Sequence, residues 1–186
     1  MLTDLNITIV STILGSILAA LGIMRNDVYL LLAAVIISPI GFVLNETSKD
    51  IINYRTTKSL MNVTLFLFII MCAVLVGFIF AKVGPELTED AIKRYSHTNV
   101  AYHGFIGLIL GMYTAYLTSV KDPGLIELPL VGVAIAITQL PPLVDMGLRL
   151  GQEHLDRKII WSDFQISMIN SSSFLAGAMG VNYLMS

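Results

Sequence analysis

The chain reads as an all-α integral membrane protein of six transmembrane helices in two inverted three-helix repeats. Three observations predict this. Of its residues, 55% are hydrophobic and only 13% are charged, with a mean hydropathy of +0.79, whereas soluble domains carry about 25% charged residues. That is too little polarity to cover a water-facing surface, so lipid must be the solvent for much of the chain. Apolar segments of about 20 residues, the length that crosses a bilayer, alternate with short polar connections. The middle segment of each trio carries proline, Ser38-Pro39 in the second and Pro141-Pro142 in the fifth. Interrupted hydrophobic segments at corresponding places in two halves point to a solute or ion site.

Each segment follows from its residues. Span one is Ile7 to Met24, closed by the polar turn Arg25-Asn26-Asp27. Span two is Val28 to Leu44, and the polar stretch Asn45 to Lys58 is expected to continue it as an interfacial helix. Span three, Ser59 to Val83, is rich in Phe, Ile and Leu and stops at Gly84-Pro85. Thr88-Glu89-Asp90 is a helix start, with acidic residues in the first turn, so a short surface helix is expected within Pro85 to Asn99. Span four is Val100 to Val120, ended by the turn signal Lys121-Asp122-Pro123-Gly124. Span five is Leu125 to Leu148, and span six, Ile159 to Met185, is the most polar. Backbone groups in lipid must be satisfied internally, so segments of this length are helices. Barrel strands would be about 10 residues long with alternating polarity.

The chain is one transmembrane domain with halves 1–84 and 85–186, and three spans per half set the halves in opposite orientation. Connections one-two, three-four and five-six hold Arg25, Lys82, Lys93, Arg94, Arg149, Arg157 and Lys158; the other side holds Lys49, Arg55, Lys58 and Lys121. The excess of basic residues on the first side predicts both termini outside. No basic leader precedes span one, so a removed signal peptide is not expected.

Composition also excludes functions. The net charge is −2 and the 11 Lys and Arg are scattered, so no nucleic-acid face is expected. Cys72 is the single cysteine, and it supports neither a disulfide within the chain nor a cysteine metal site. His97, His103 and His154 lack metal spacing. Nothing resembles a Ser-His-Asp set, a phosphate loop or a dinucleotide fingerprint, so no enzyme activity, metal or cofactor is expected.

Candidate sites cluster at the prolines and in the last two spans. A proline removes a backbone donor and frees a carbonyl one turn back, and freed carbonyls can coordinate ions. Ser38 and Pro39 form one such place; Thr138, Gln139, Pro141 and Pro142 form the other. Asp145 is an ionisable group inside a span, costly and by default functional; its alternative role is an i, i+4 pair with Arg149, extended by Glu153. In span six, Asp163, Ser167, Asn170 and Ser173 recur at helical spacing and share a face, which lines a polar cavity or hydrogen-bonds across helices. Two small-residue stripes, Ser11, Gly15, Ala19 and Gly22 on span one and Gly104, Gly107, Gly111 and Ala115 on span four, predict close helix packing or an oligomer contact.

Several stretches together resemble a known family: Ala34-Val-Ile-Ile-Ser-Pro39, Leu87-Thr-Glu-Asp-Ala-Ile-Lys-Arg-Tyr-Ser96, Gly132-Val-Ala-Ile-Ala-Ile-Thr-Gln-Leu-Pro-Pro-Leu143, and Asn170. They resemble the prokaryotic "uncharacterised hydrophobic domain" membrane proteins, domain-of-unknown-function family three-eight-nine, from about Leu14 to the C-terminus. The resemblance implies the six-span block, a prokaryotic-type inner membrane and a watch on Asn170, and it implies no established activity. Members often carry a small soluble N-terminal domain, which is not expected here. The chain departs from the family at Ile40-Gly-Phe after Pro39, where a Met-Gly-Pro turn is usual, at Arg25 in an Asn-rich position, and at His97 in place of a proline.

The function expected from the residues is passage of a small ion or solute through a route lined by Ser38, Pro39, Thr138, Gln139, Pro141, Pro142, Asp145, Asn170 and Ser173, in a homo-oligomer. The alternative is a non-transporting membrane scaffold or partner-binding subunit working through Pro85 to Asn99.

Overall fold

A computed structural model describes residues 2–84, 100–119, 127–152 and 157–185, with side chains from 5, 101, 139 and 157 onward in those segments. The surface helix foreseen in Pro85 to Asn99, the turn after span four, and His97, Glu153 and His154 lie outside the described residues. Among those described there is no strand, and the helices are α1 (Leu2–Arg25), α2 (Val28–Ile37), α3 (Ile40–Ile52), α4 (Thr56–Val83), α5 (Val100–Ser119), α6 (Glu127–Gly151) and α7 (Arg157–Met185). Three described stretches are long and apolar enough to cross a membrane: Leu5–Arg25, Val28–Ile52 and Thr56–Val83.

The turns follow from local chemistry. The α1–α2 turn places Asn26 at φ 53°, a left-handed conformation that Asn tolerates well. Asn26 N–H donates to the Ile23 carbonyl at 3.2 Å and Asp27 N–H to that of Gly22 at 2.8 Å, the paired bonds that close a helix C-terminus. Asp27 then caps α2, its carboxylate accepting from the N–H groups of Tyr29 at 2.8 Å and Leu30 at 3.3 Å. The α3–α4 corner repeats the device: Tyr54, at φ 56°, donates to the Ile51 carbonyl at 3.1 Å and Arg55 donates to that of Asp50 at 2.8 Å. A tyrosine in this conformation costs about 1 kcal/mol.

The two proline sites behave differently. Ser38 sits at ψ 128°, the extended conformation that a following proline imposes, and the helix breaks there into α2 and α3. Pro141 and Pro142 break nothing: α6 runs through both. Spans two and five are expected to be kinked or broken at their prolines; span two is broken, and span five is not. Proline dihedrals are helical, and the cost lies in two lost donors and ring crowding. The fully buried Leu140, Leu143, Val144 and Leu148 hold the helix together against that cost.

A second correction concerns α3. The segment from Asn45 is not an interfacial helix over its first two turns, because Asn45, Thr47, Ser48 and Asp50 are buried within the bundle.

Packing sets helix directions. A Cβ at Gly77 would strike the Val144 carbonyl, one at Gly147 the Val74 carbonyl, and one at Gly151 would lie 2.9 Å from the Phe78 carbonyl; α4 and α6 thus run side by side and parallel. Likewise a Cβ at Gly107 would strike Asn170, and one at Gly111 the Phe174 carbonyl, so α5 and α7 are parallel. Gly22 lies against Leu31 and Gly15 against the Ala34 carbonyl, which makes α1 and α2 antiparallel. Met24 reaches Gly84, so α1 and α4 end on the same side. One end of the bundle thus gathers the α1–α2 turn, the C-termini of α4 and α6 and the N-termini of α5 and α7. The opposite end holds the α3–α4 corner and the C-terminus of α7. The core runs between these pairs through Ala19, Ala20, Ile23, Ile40, Leu44, Ile69, Ala73, Leu140, Val144 and Phe174.

Candidate functional site

The last two helices and α3 enclose an unusual amount of polarity. Near the C-terminal end of α6, Arg149 Nε donates to Asp145 Oδ2 at 2.7 Å and lies 3.8 Å from Asp163 Oδ2 on α7. The i, i+4 pair read from the sequence is present, and a second carboxylate joins it from another helix. All three side chains are at least 95% buried. Asp145 Oδ1 and Asp163 Oδ2 have no hydrogen-bond partner. A buried ion pair offsets its desolvation only when its remaining lone pairs are satisfied, and here they are not.

From Asp163 the polarity continues along α7. Ser167, Asn170 and Ser171 are buried; the hydroxyls of both serines and both amide atoms of Asn170 lack partners. Asn170 Oδ1 and its carbonyl face Gly107 of α5. At the far end of the helix, Asn182 Nδ2 donates to Ser48 Oγ at 2.8 Å, and Ser48 Oγ donates to the Asn45 carbonyl at 2.7 Å. Asn45 Nδ2 also reaches Thr118 Oγ1 of α5 at 3.3 Å. Just beyond, Asn62 Nδ2 donates to Asp50 Oδ2 at 3.1 Å, and Arg55 Nη1 lies 3.8 Å from Asp50 Oδ1.

The remaining sequence-derived positions fall as follows. Ser38 and Pro39 are half-buried, and the Ser38 hydroxyl is buried without a partner. A Cβ at Gly15 would lie 3.8 Å from Ser38 N and 3.5 Å from Leu140 Cδ2, so the α2–α3 break and the proline-bearing turn of α6 meet across α1. Gln139 is buried, with both amide atoms unpartnered; Pro141 and Pro142 are buried beside it. Thr138 lies in α6, its side chain outside the described residues. Ser173 is half-buried against Gly104. Ala19 is fully buried in the core. Asp145 joins Arg149 and Asp163 at one end of the bundle.

Sequence reasoning missed Asn45, Thr47, Ser48 and Asp50 as interior groups. Their signal was present: Asn45, Ser48 and Ile52 recur at helical spacing behind a proline break, so they ride on one face of a helix continuing span two. Asp163 was placed on a polar face, but its meeting with Arg149 was not legible, since nothing local links the two.

Among the described residues no group of His, Cys, Asp and Glu is arranged to hold a metal ion. A helical bundle with three stretches able to cross a membrane and a polar interior defines the class, a helical membrane protein. Within that class, the profile of the family described as Domain of unknown function (DUF389) matches residues 36–182, and the chain belongs to this family. Neither a curated protein nor a solved structure gives a significant match.

Proposed function

We propose that the chain crosses the membrane six times and carries a small ion or solute along the polar file of α7. The observation that supports this reading is the length and state of that file. Asp163 and Asn182 are nineteen residues apart, about 28 Å at 1.5 Å per residue, against about 30 Å for the hydrocarbon core. Between them Ser167, Asn170 and Ser171 present buried oxygens and an amide with nothing to bond. Unpartnered buried polar groups each cost about 1–3 kcal/mol, and a chain built only for packing has no use for that cost. The file ends in charge at both faces, Asp145–Arg149–Asp163 at one and Asp50 with Arg55 at the other.

The directions of the helices support six crossings: α1 and α4 run together and α5 starts where they end, so the two trios have opposite sense. Ser38 and Gln139, unpartnered beside the prolines, supply a second group of oxygens near the middle. At 20.3 kDa the chain is small for alternating access, and a homo-oligomer completes the reading.

Flux of K⁺, Na⁺, H⁺ and Cl⁻ into proteoliposomes tests it, with Asn170→Leu and Asp145→Asn beside the parent protein. A flux that exceeds that of empty vesicles and falls at least tenfold in Asn170→Leu is expected. Equal flux in the parent and Asn170→Leu removes the file from the route.

A further inference from the structure

The acidic end of the file contains more negative charge than its cation balances. Asp145, Asp163 and Arg149 are 0%, 1% and 4% exposed, and Arg149 is the only buried cation among the described residues. With all three ionised these side chains sum to one net negative charge that no other buried cation among the described residues balances, and a low-dielectric site does not tolerate it. Asp145 Oδ2 and Asp163 Oδ2 lie 2.7 and 3.8 Å from the same Arg149 Nε, so the two carboxyl groups face one guanidinium. A proton on one of them removes the excess charge and supplies the donor that two carboxylates, which only accept, lack. Independently, Ser167 Oγ, fully buried and without a partner, stands one turn from Asp163 on the same face of α7, where a hydroxyl can accept from a protonated carboxyl or donate to an ionised one.

We infer that Asp145 and Asp163 share a single exchangeable proton, forming a proton-binding site at the end of the polar file, with Ser167 as its first neighbour inward. A metal cation fits worse. Arg149 Nε already occupies Asp145 Oδ2 at 2.7 Å, and its charge repels a second cation, whereas a proton needs no coordination shell. The transport role of this proton rests on the route reading above; its presence does not.

Among the described residues, the other ionisable groups on the helices packed around the cluster are placed as follows. On α4, Lys82 is exposed, its ammonium 5.9 Å from the Phe78 ring. On α5, His103 is half-buried, with Nδ1 unpartnered. Arg25 is exposed at the end of α1 and Asp27 caps α2. On α7, Arg157 and Lys158 are exposed. On α3, Glu46, Lys49 and Asp50 lie toward the opposite end.

The test is infrared difference spectroscopy of the carboxylic-acid carbonyl stretch, on the purified full-length protein in lipid near neutral pH, with exchange into D2O. The parent should show one protonated carboxyl in an apolar setting. Asp145→Asn and Asp163→Asn each leave one carboxylate facing Arg149, and the band should vanish in both. Arg149→Gln removes the cation, and the band should about double as both carboxyls take up protons. No band in the parent, or a band unchanged in all three variants, overturns the inference. The spectrum needs no flux, so a band that follows this pattern in a protein showing no flux supports the shared proton while overturning the route.

Discussion

A single methyl group placed at two glycines separates the packing of α5 on α7 from helix propensity. At Gly111 an added Cβ would strike the Phe174 carbonyl oxygen and lie 2.8 and 2.9 Å from its carbonyl carbon and Cα. All three are backbone atoms, so only a shift of α7 relieves the clash. At Gly180, on α7 itself, an added Cβ meets nothing within 4 Å. Both substitutions gain up to about 1 kcal/mol of helix propensity. Overpacking against an unyielding neighbour costs about 1–3 kcal/mol. Gly180→Ala is therefore expected to be neutral to about 1 kcal/mol more stable than the parent, and Gly111→Ala to fall about 1–3 kcal/mol below Gly180→Ala. Denaturant unfolding in matched lipid–detergent micelles measures the gap. Trp161, the single tryptophan, stacks on Phe164 of the same helix at 5.5 Å and reports on α7 by fluorescence. Equal stability of the two variants would refute the close approach, because propensity cancels and only the contact remains.

Asn170→Leu should leave stability unchanged or raise it by about 1 kcal/mol, since it removes two unpartnered polar atoms, in the same samples whose flux falls. Ser48→Ala and Asn182→Ala should each cost about 1 kcal/mol and together cost less than their sum, as a double-mutant cycle of unfolding midpoints would read. Additive losses would mean that the 2.8 Å bond contributes nothing. Asp27→Ala should destabilise by about 1 kcal/mol through loss of the α2 cap, and Asp27→Asn should recover most of it in the same unfolding assay.

Much of the fold was legible because its determinants are local. The run of apolar residues from Ile7, the Asn26 turn and the Asp27 cap all act within a few residues, and α1 ends and α2 begins where those residues require. The Ser38 break was legible for the same reason. The proline pair at 141 and 142 was misread because a helix can pass through proline when buried neighbours hold it, and Leu140, Leu143 and Val144 become neighbours only in the assembled bundle. The same limit hid the second half of the site. Asp145 and Arg149 are one turn apart and announced their pairing; Asp163 reaches them only because α7 folds back along α6. Asn45 and Ser48 read as the polar face of an interfacial helix because their polarity is matched by Thr118 and Asn182, far away in the chain.

The skipping pattern of the helix pairs has a consequence for how the chain is made. α4 rests along α6 and α5 along α7, so during synthesis each waits for the helix after next before its small-residue face is covered. The stretch Thr56–Val83, the most apolar of the three candidates, can wait in lipid unaided. On the six-span reading proposed above, α6 is less able to, because Asp145 and Arg149 would enter the bilayer before Asp163 has been translated. Its insertion therefore depends on α4 already standing as a docking surface, with α7 arriving last to close the charged end. The order of the helices along the chain is, in this sense, also an order of assembly.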